Sequence, residues 1–257
     1  MDLEFILRRD RWVVASGLAL ILALSWAYLL GEAGTPMGER DMADMPEMNA
    51  TPWSPAYAGL MFLMWWIMMA AMMLPSAAPV LLLAASLNRR AQPGRAPYGA
   101  TGFFGAGYLF AWAVFSLAAV GAQAWLAQSG FLSAMMQLSS RPLAGGLLIA
   151  AGIWQLTPLK RACLDRCRSP VRFLTERRRP GGFGALLMGI EHGTFCLGCC
   201  WLLMALLFVG GVMSLAWVAG LAVYVLGEKL LPAGHRVAQW TGAVLLLAGV
   251  AVIAGWV

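Results

Sequence analysis

The apolar stretch MGIEHGTFCLGCCWLLM carries side chains that bind soft metal ions. On a helix each residue turns the chain by about 100°, so Met188, Cys196 and Cys199 fall within about 40° of His192. Cys200 falls about 80° from His192, beside Cys196. An imidazole, three thiols and a thioether on one helical face form a donor set that suits Cu(I). These five residues are therefore the first candidate metal ligands.

A packing role competes with this interpretation. Cysteine packs in protein interiors like a small apolar residue, and Gly193 and Gly198 can simply allow another helix to approach closely. His192 favours a functional role, because an ionisable side chain deep in an apolar helix is costly. Glu191 points about 100° away from His192, so we interpret it as an accessory residue that orients a neighbouring helix or accepts a proton.

A methionine stripe in an earlier apolar stretch is the second candidate. The sequence MFLMWWIMMAAMMLPSAAP places Met61, Met68 and Met72 within about 80° of Met64 if it is helical. Methionine also fills irregular gaps between helices, which is the alternative role. Met64 and Met68 are expected at nearly the depth of His192, so these methionines and the His–Cys face can form one site if their helices touch.

Two further sets of sulfur side chains lie in polar connections. An acidic connection over residues 31–55 can capture soft cations or be only a flexible linker; its methionines are Met37, Met42, Met45 and Met48. In a basic connection over residues 159–182, Cys163 and Cys167 are spaced to face the same side if the preceding helix extends that far. Met42, Met45, Met48, Cys163 and Cys167 are accessory candidates.

Hydropathy predicts the elements that position these side chains. The chain has 257 residues, of which 61% are hydrophobic and 12% charged, whereas soluble domains are about half apolar and one quarter charged. Apolar runs near the roughly 20 residues that a bilayer requires predict an all-α bundle of about seven transmembrane helices in a single integral membrane domain, residues 1–257. The predicted spans cover residues 12–30, 56–87, 99–127, 142–158, 183–209, 212–230 and 237–257.

Two local features refine these spans. Pro75 and Pro79 are expected to kink or break the second span, because proline cannot donate a backbone hydrogen bond. The tight turn at Gly210 and Gly211 predicts that the fifth and sixth spans are antiparallel neighbours.

The distribution of positive charge predicts the orientation of the bundle. With the N-terminus in the cytoplasm, 16 of the 18 lysines and arginines lie inside, and only Arg40 and Arg141 lie outside. Cytoplasmic loops of membrane proteins carry such an excess. The C-terminus and the acidic methionine-rich connection are then outside, and the net charge of +6 reflects topology rather than nucleic-acid binding.

The stretches WWIMMAAMMLPSAAP and EHGTFCLGCCWLLMALLFVGGVMSLAW, followed by EKLLPAG, resemble a bacterial family of predicted metal-binding integral membrane proteins. The resemblance covers predicted spans two to seven. It implies a metal-linked, multi-pass protein of the bacterial inner membrane, with His192, Cys196, Cys199 and Cys200 as matching residues. The methionine-rich outer connection is not part of this pattern.

Three classes of function fit these observations. The first is handling of Cu(I) in transport, delivery to a copper-accepting protein, or assembly of a copper enzyme. The second is an accessory or structural subunit of a larger membrane complex. The third is a membrane oxidoreductase, for which the interfacial His235 is a poor second haem ligand to His192. A glycine-rich phosphate loop is lacking, so no nucleotide cofactor is expected, and a non-enzymatic role is favoured.

Overall fold

A computed structural model describes residues 3–34, 53–91, 98–133, 135–177 and 179–256 of the chain. These ranges contain ten helices and one isolated bridge between Leu132 and Leu138, which confirms the all-α prediction. Met37, Met42, Met45 and Met48 lie outside the described residues. The helices are α1 (Leu3–Gly34), α2 (Pro55–Ala91), α3 (Tyr98–Gln128), α4 (Arg141–Leu156), α5 (Pro158–Arg168), α6 (Pro170–Glu176), α7 (Gly181–Ala205), α8 (Leu207–Gly210), α9 (Leu215–Leu230) and α10 (Gly234–Ala254).

Several of these helices have the length and composition of membrane spans. Within the described residues, five stretches qualify, located in α1, α2, α3, α7 continued by α8, and α10. A sixth is obtained if α4 and α5, which are bent by 66° relative to each other, are counted as one span. The remaining predicted span corresponds to α9, which has only 16 residues.

The second predicted span forms one continuous helix. α2 extends over 37 residues with Pro75 and Pro79 inside it, so the predicted break at these prolines does not occur. Its apolar residues form a large part of the core, and Trp65 and Met69 are fully buried. An ion pair between Asp10 of α1 and Arg89, in the last turn of α2, joins these two helices.

The basic connection predicted at residues 159–182 instead contains α5 and α6. Thr157 caps α5 by accepting a hydrogen bond from the Lys160 backbone N–H at 3.2 Å, and Pro158 fits the first turn. Leu164 and Phe173 are buried while most basic side chains remain outside. The two helices form because each turns a narrow apolar face towards the bundle, which mean hydropathy does not detect.

Glycines bring two pairs of helices into close contact. Between α3 and α7, a Cβ added at Gly193 would lie 2.6 Å from the Cβ of Ala111. Between α4 and α10, a Cβ at Gly152 would lie 2.8 Å from the carbonyl oxygen of Gly242. α9 packs mainly on α2 and α10, so the fifth and sixth predicted spans, α7 and α9, are only marginal neighbours.

Candidate metal centre

The donor face predicted on α7 is buried. Met188, His192, Cys196, Cys199 and Cys200 are all at most 6% exposed. This face packs against α3, where the glycines allow a close approach, and against α5. The arrangement follows from the sequence, since small residues and donors share one side of the helix while Trp201 and Phe183 point outward.

Thiols of α5 and α7 meet between the two helices. Cys196, Cys199 and Cys200 of α7 are buried, and Cys167 of α5 is half-buried and packs against the core that contains them. We call Cys167, Cys196, Cys199 and Cys200 the thiol cluster. Cys163 lies at its edge and is half-buried, next to Gly198, where an added Cβ would be 2.9 Å from the Cys163 sulfur. The structure thus combines the accessory cysteines with the α7 cysteines, which the sequence analysis treats as separate candidates.

The cysteines of α7 differ in what their sulfur atoms contact. Cys199 Sγ and Cys200 Sγ each donate to the backbone carbonyl of Cys196 at 3.0 Å, so both thiols are turned towards their own helix. Cys196 Sγ points instead at side chains of other helices. Cys196 is therefore the member of the cluster with the most polar surroundings.

The Cys196 sulfur is part of a closed ring of polar contacts. Lys229 Nζ lies 2.8 Å from Cys196 Sγ and donates to Ser76 Oγ at 3.1 Å. The hydroxyl of Tyr108 lies 3.1 Å from Cys196 Sγ and donates to the Met73 carbonyl at 3.2 Å. Ser76 Oγ donates to the same carbonyl at 2.8 Å. This polar ring, formed by Met73, Ser76, Tyr108, Cys196 and Lys229, connects α2, α3, α7 and α9.

His192 lies among aromatic rings. Its imidazole centroid is 5.0 Å from that of Phe173 and 6.0 Å from those of Phe104 and Tyr108. Its Nδ1 atom is buried and has no hydrogen-bond partner among the described residues. Met188 lies one turn before His192, nearer the start of α7, where its sulfur accepts a hydrogen bond from the Arg179 backbone N–H at 3.2 Å. The structure therefore places these two predicted donors beside the thiol cluster rather than in it.

The methionine stripe of α2 is buried in the core. Met64, Met68 and Met72 are at most 7% exposed, but α2 packs against α1, α3 and α9 rather than directly against α7. The α2 methionine that reaches the polar ring is Met73, whose sulfur lies 3.9 Å from Lys229 Nζ. Met73 is on the opposite side of α2 from the predicted stripe.

Lys229 and Tyr108 are central to the site but are not predicted from the sequence. In the sequence, Lys229 contributes only to the excess of positive charge that is assigned to the cytoplasmic side. An ionisable residue within a membrane-length bundle is a functional candidate by default, and this rule could have identified Lys229. Tyr108 has no comparable sequence signal, because its role depends on the close packing of α3 against α7.

Glu191 belongs to a separate surface network. Its carboxylate pairs with Arg177 at 2.7 Å and with Arg179 at 3.8 Å, at the start of α7. These ion pairs separate Glu191 from the thiols, and its role as an orienting residue or a proton acceptor stays a prediction. Nearby, the hydrogen bond from the Arg172 guanidinium holds the pKa of the Glu176 carboxyl below its usual value.

The arrangement and the chemistry of the donor atoms are separate aspects of metal binding at this site. In the described part of the chain, no group of three or more His, Cys, Asp or Glu side chains is positioned to hold a metal ion. The donor chemistry nevertheless suits a soft monovalent ion, because three buried thiols, one half-buried thiol and the thioether of Met73 share this region of the bundle. The thiols of Cys199 and Cys200 are held on the Cys196 carbonyl, so either thiol would have to give up this hydrogen bond to bind an ion.

The fold and the site define a helical protein with membrane-length helices and a buried, thiol-rich centre. The model of the PpoB2 family, described as a copper chaperone, matches residues 62–252. Because this match covers more than half of the chain, the chain belongs to that family. The matched region includes all five cysteines and begins after the methionine-rich connection. No curated protein and no solved structure shows a significant match to the chain.

Proposed function

We propose that this protein holds Cu(I) as cargo in its thiol cluster and delivers it to a copper-accepting protein. The observation that carries the proposal is the packing of α5, which carries Cys163 and Cys167, against the cysteine-bearing face of α7, where a Cβ added at Gly198 would lie 2.9 Å from the Cys163 sulfur. The description of the family supports a role in copper handling. Thiolates are preferred ligands of Cu(I), and a buried position protects the ion from water and oxidants.

Ion binding in this cluster is coupled to the release of protons. Thiols bind metals as thiolates, so each S–H that becomes a Cu–S bond gives up its proton. The copper ion remains Cu(I) throughout. Transfer of the ion to a partner protein reverses these steps, because the thiolates can take up protons again. Reversible binding of this kind suits delivery rather than permanent storage.

We further propose that the bundle is a multi-pass protein of the bacterial inner membrane. Apolar side chains of α10 face outward, with Trp240, Val244 and Leu247 between 60% and 75% exposed. Such a surface is unfavourable in water and favourable in lipid. With α9 and the bent α4–α5 pair counted as spans, the chain crosses seven times. The excess of lysine and arginine on one side of these spans supports an orientation with the N-terminus inside.

Copper content of the purified protein tests this function. The protein would be isolated in mild detergent, loaded with Cu(I) under reducing conditions, desalted and analysed for copper and protein. We expect copper to remain bound to the wild type and to be lost from the Cys196→Ser/Cys199→Ser variant. Cys163→Ser serves as the matched control, since Cys163 lies at the edge of the cluster.

Equal copper content in the double variant and the wild type would contradict the proposal. Size-exclusion profiles and melting temperatures of the copper-free proteins would show whether the serine substitutions disturb the fold. Loss of copper with an intact fold is the expected combination.

A further inference from the structure

The ammonium group of Lys229 is enclosed in the bundle. The residue is 7% exposed, and its Nζ contacts Cys196 Sγ, Ser76 Oγ and Met73 Sδ. Two of these partners are neutral, so Cys196 is the one that can carry a compensating negative charge. A buried ammonium is stabilised when such a charge is close by. The positive charge of Lys229 therefore contributes to the net charge of any complex that an ion forms with Cys196.

We propose that Cu(I) is bound by two thiolates, those of Cys196 and Cys167, and that Lys229 balances the negative charge of this complex. This inference rests on the proposed function and specifies its chemistry. Two S–Cu bonds form, any protons on the two sulfurs leave to water, and no electron is transferred. One Cu⁺ and two thiolates carry a net charge of −1, and the ammonium of Lys229 brings the buried centre to zero.

Charge balance disfavours a third thiolate. Three thiolates around Cu⁺ carry a net charge of −2, which a single ammonium cannot neutralise, and unpaired charge in an apolar interior is costly. Within the described ranges, Lys229 is the only cationic side chain hydrogen-bonded to a cysteine sulfur. Arg166 on α5 instead stacks on the ring of Phe195, at 4.7 Å from its centroid.

The contacts of the four thiols favour Cys196 and Cys167 as the two ligands. Cys196 Sγ already lies against the ammonium at 2.8 Å. Cys167 lies on α5, which packs against the cysteine-bearing face of α7 and turns this residue towards the core that contains Cys196. Sulfurs on two facing helices can lie on opposite sides of an ion, as two-coordinate binding requires. Cys199 and Cys200 are instead hydrogen-bonded to the carbonyl of their own helix.

Competition for Cu(I) with a coloured chelator measures the contribution of Lys229. We expect Lys229→Leu to weaken Cu(I) binding by about tenfold or more, which corresponds to about 1.4 kcal/mol. Lys229→Arg keeps the charge and is expected to retain most of the affinity. Cys167→Ser should abolish tight binding, while Cys200→Ser should retain it. Unchanged affinity in Lys229→Leu or Cys167→Ser would overturn the inference.

X-ray absorption of the copper-loaded wild type gives an independent test that needs no substitution. Two sulfur neighbours per copper are expected, and three would contradict charge balance by one lysine. If the wild type binds no copper at all, the proposed function itself fails. If copper is bound but with three sulfurs, or without dependence on Lys229, the function stands and only the two-thiolate centre is wrong.

Discussion

Lys160 and Glu228 form an ion pair inside the bundle, in which each side chain is only 1% exposed. The pair joins α5 to α9, so it holds the helix that carries Cys167 against the helix that carries Lys229. The second carboxylate oxygen of Glu228 has no hydrogen-bond partner among the described residues. A buried ion pair that contacts no sulfur thus helps to hold Cys167 in the thiol cluster.

Breaking this pair on one side should destabilise the protein. Glu228→Leu leaves the Lys160 ammonium buried without a partner, which typically costs about 3–5 kcal/mol. The double variant Lys160→Met/Glu228→Leu should recover most of the loss, because it removes both charges. Thermal unfolding in detergent measures each variant. Glu176→Ala, which breaks an exposed pair with Arg172, is the control and should change little.

The close contact of α3 with α7 predicts opposite effects at two glycines of α3. A Cβ at Gly107 would meet the backbone of Leu186 on α7, whereas a Cβ at Gly121 would meet nothing within 4 Å. Gly107→Ala should therefore cost about 1–3 kcal/mol, as in an overpacked core. Gly121→Ala should be neutral or stabilising, because alanine favours helix. Equal stability of the two variants, measured by thermal unfolding, would be inconsistent with this packing.

The aromatic surroundings of His192 predict that the imidazole is not needed for copper binding. Phenylalanine has a similar shape and fits among Phe104, Tyr108 and Phe173. His192→Phe should therefore keep the copper content and the melting temperature of the wild type. Cys196→Ser is the comparison that should lose copper. Loss of copper in a folded His192→Phe protein would instead identify the imidazole as a ligand.

Seven crossings predict that the two ends of the chain lie on opposite sides of the membrane. A reporter that is active only in the cytoplasm should work when inserted in the 92–97 connection and fail at the C-terminus. A reporter active only outside should show the reverse. Activity of the cytoplasmic reporter at both positions would indicate an even number of crossings, as obtained if α9 does not span.

The long helices could be predicted well from the sequence. Predicted spans at residues 56–87 and 99–127 correspond to α2, Pro55–Ala91, and α3, Tyr98–Gln128. Length and hydropathy are sufficient here, because a continuous apolar run leaves few alternatives to a helix. Even Pro75 and Pro79 do not interrupt α2.

The short helices α5 and α6 are not predicted from hydropathy, because they carry basic residues and turn only a narrow apolar face towards the bundle. Each start nevertheless has a recognisable signal, Thr157–Pro158 for α5 and Ser169–Pro170 for α6, since Ser or Thr before Pro is typical of a helix N-terminus. Recognising α5 in the sequence would have placed Cys163 and Cys167 on a helix. It would not have shown how that helix packs against α7.

The members of the site were predictable only within single helices. Angular spacing on α7 correctly grouped Cys196 and Cys199 on a buried face. It could not show that Lys229 and Tyr108 reach the same sulfur, because contacts between helices depend on the packing of the whole bundle. For the same reason, the depth of Met64 and Met68 did not reveal that Met73 is the methionine beside Lys229.

The glycine contacts also show which helices lie closest together. α3 and α7 meet at Gly193, and α4 and α10 meet at Gly152, where an added Cβ would collide with the facing helix. Such close approach of two helices is favoured by small residues at their contact. α5 is connected to α4 through a 66° bend and held at its start by Lys160. The Lys160–Glu228 pair therefore opposes any displacement of α5 from the bundle, and with it any displacement of Cys167 from the cysteines of α7.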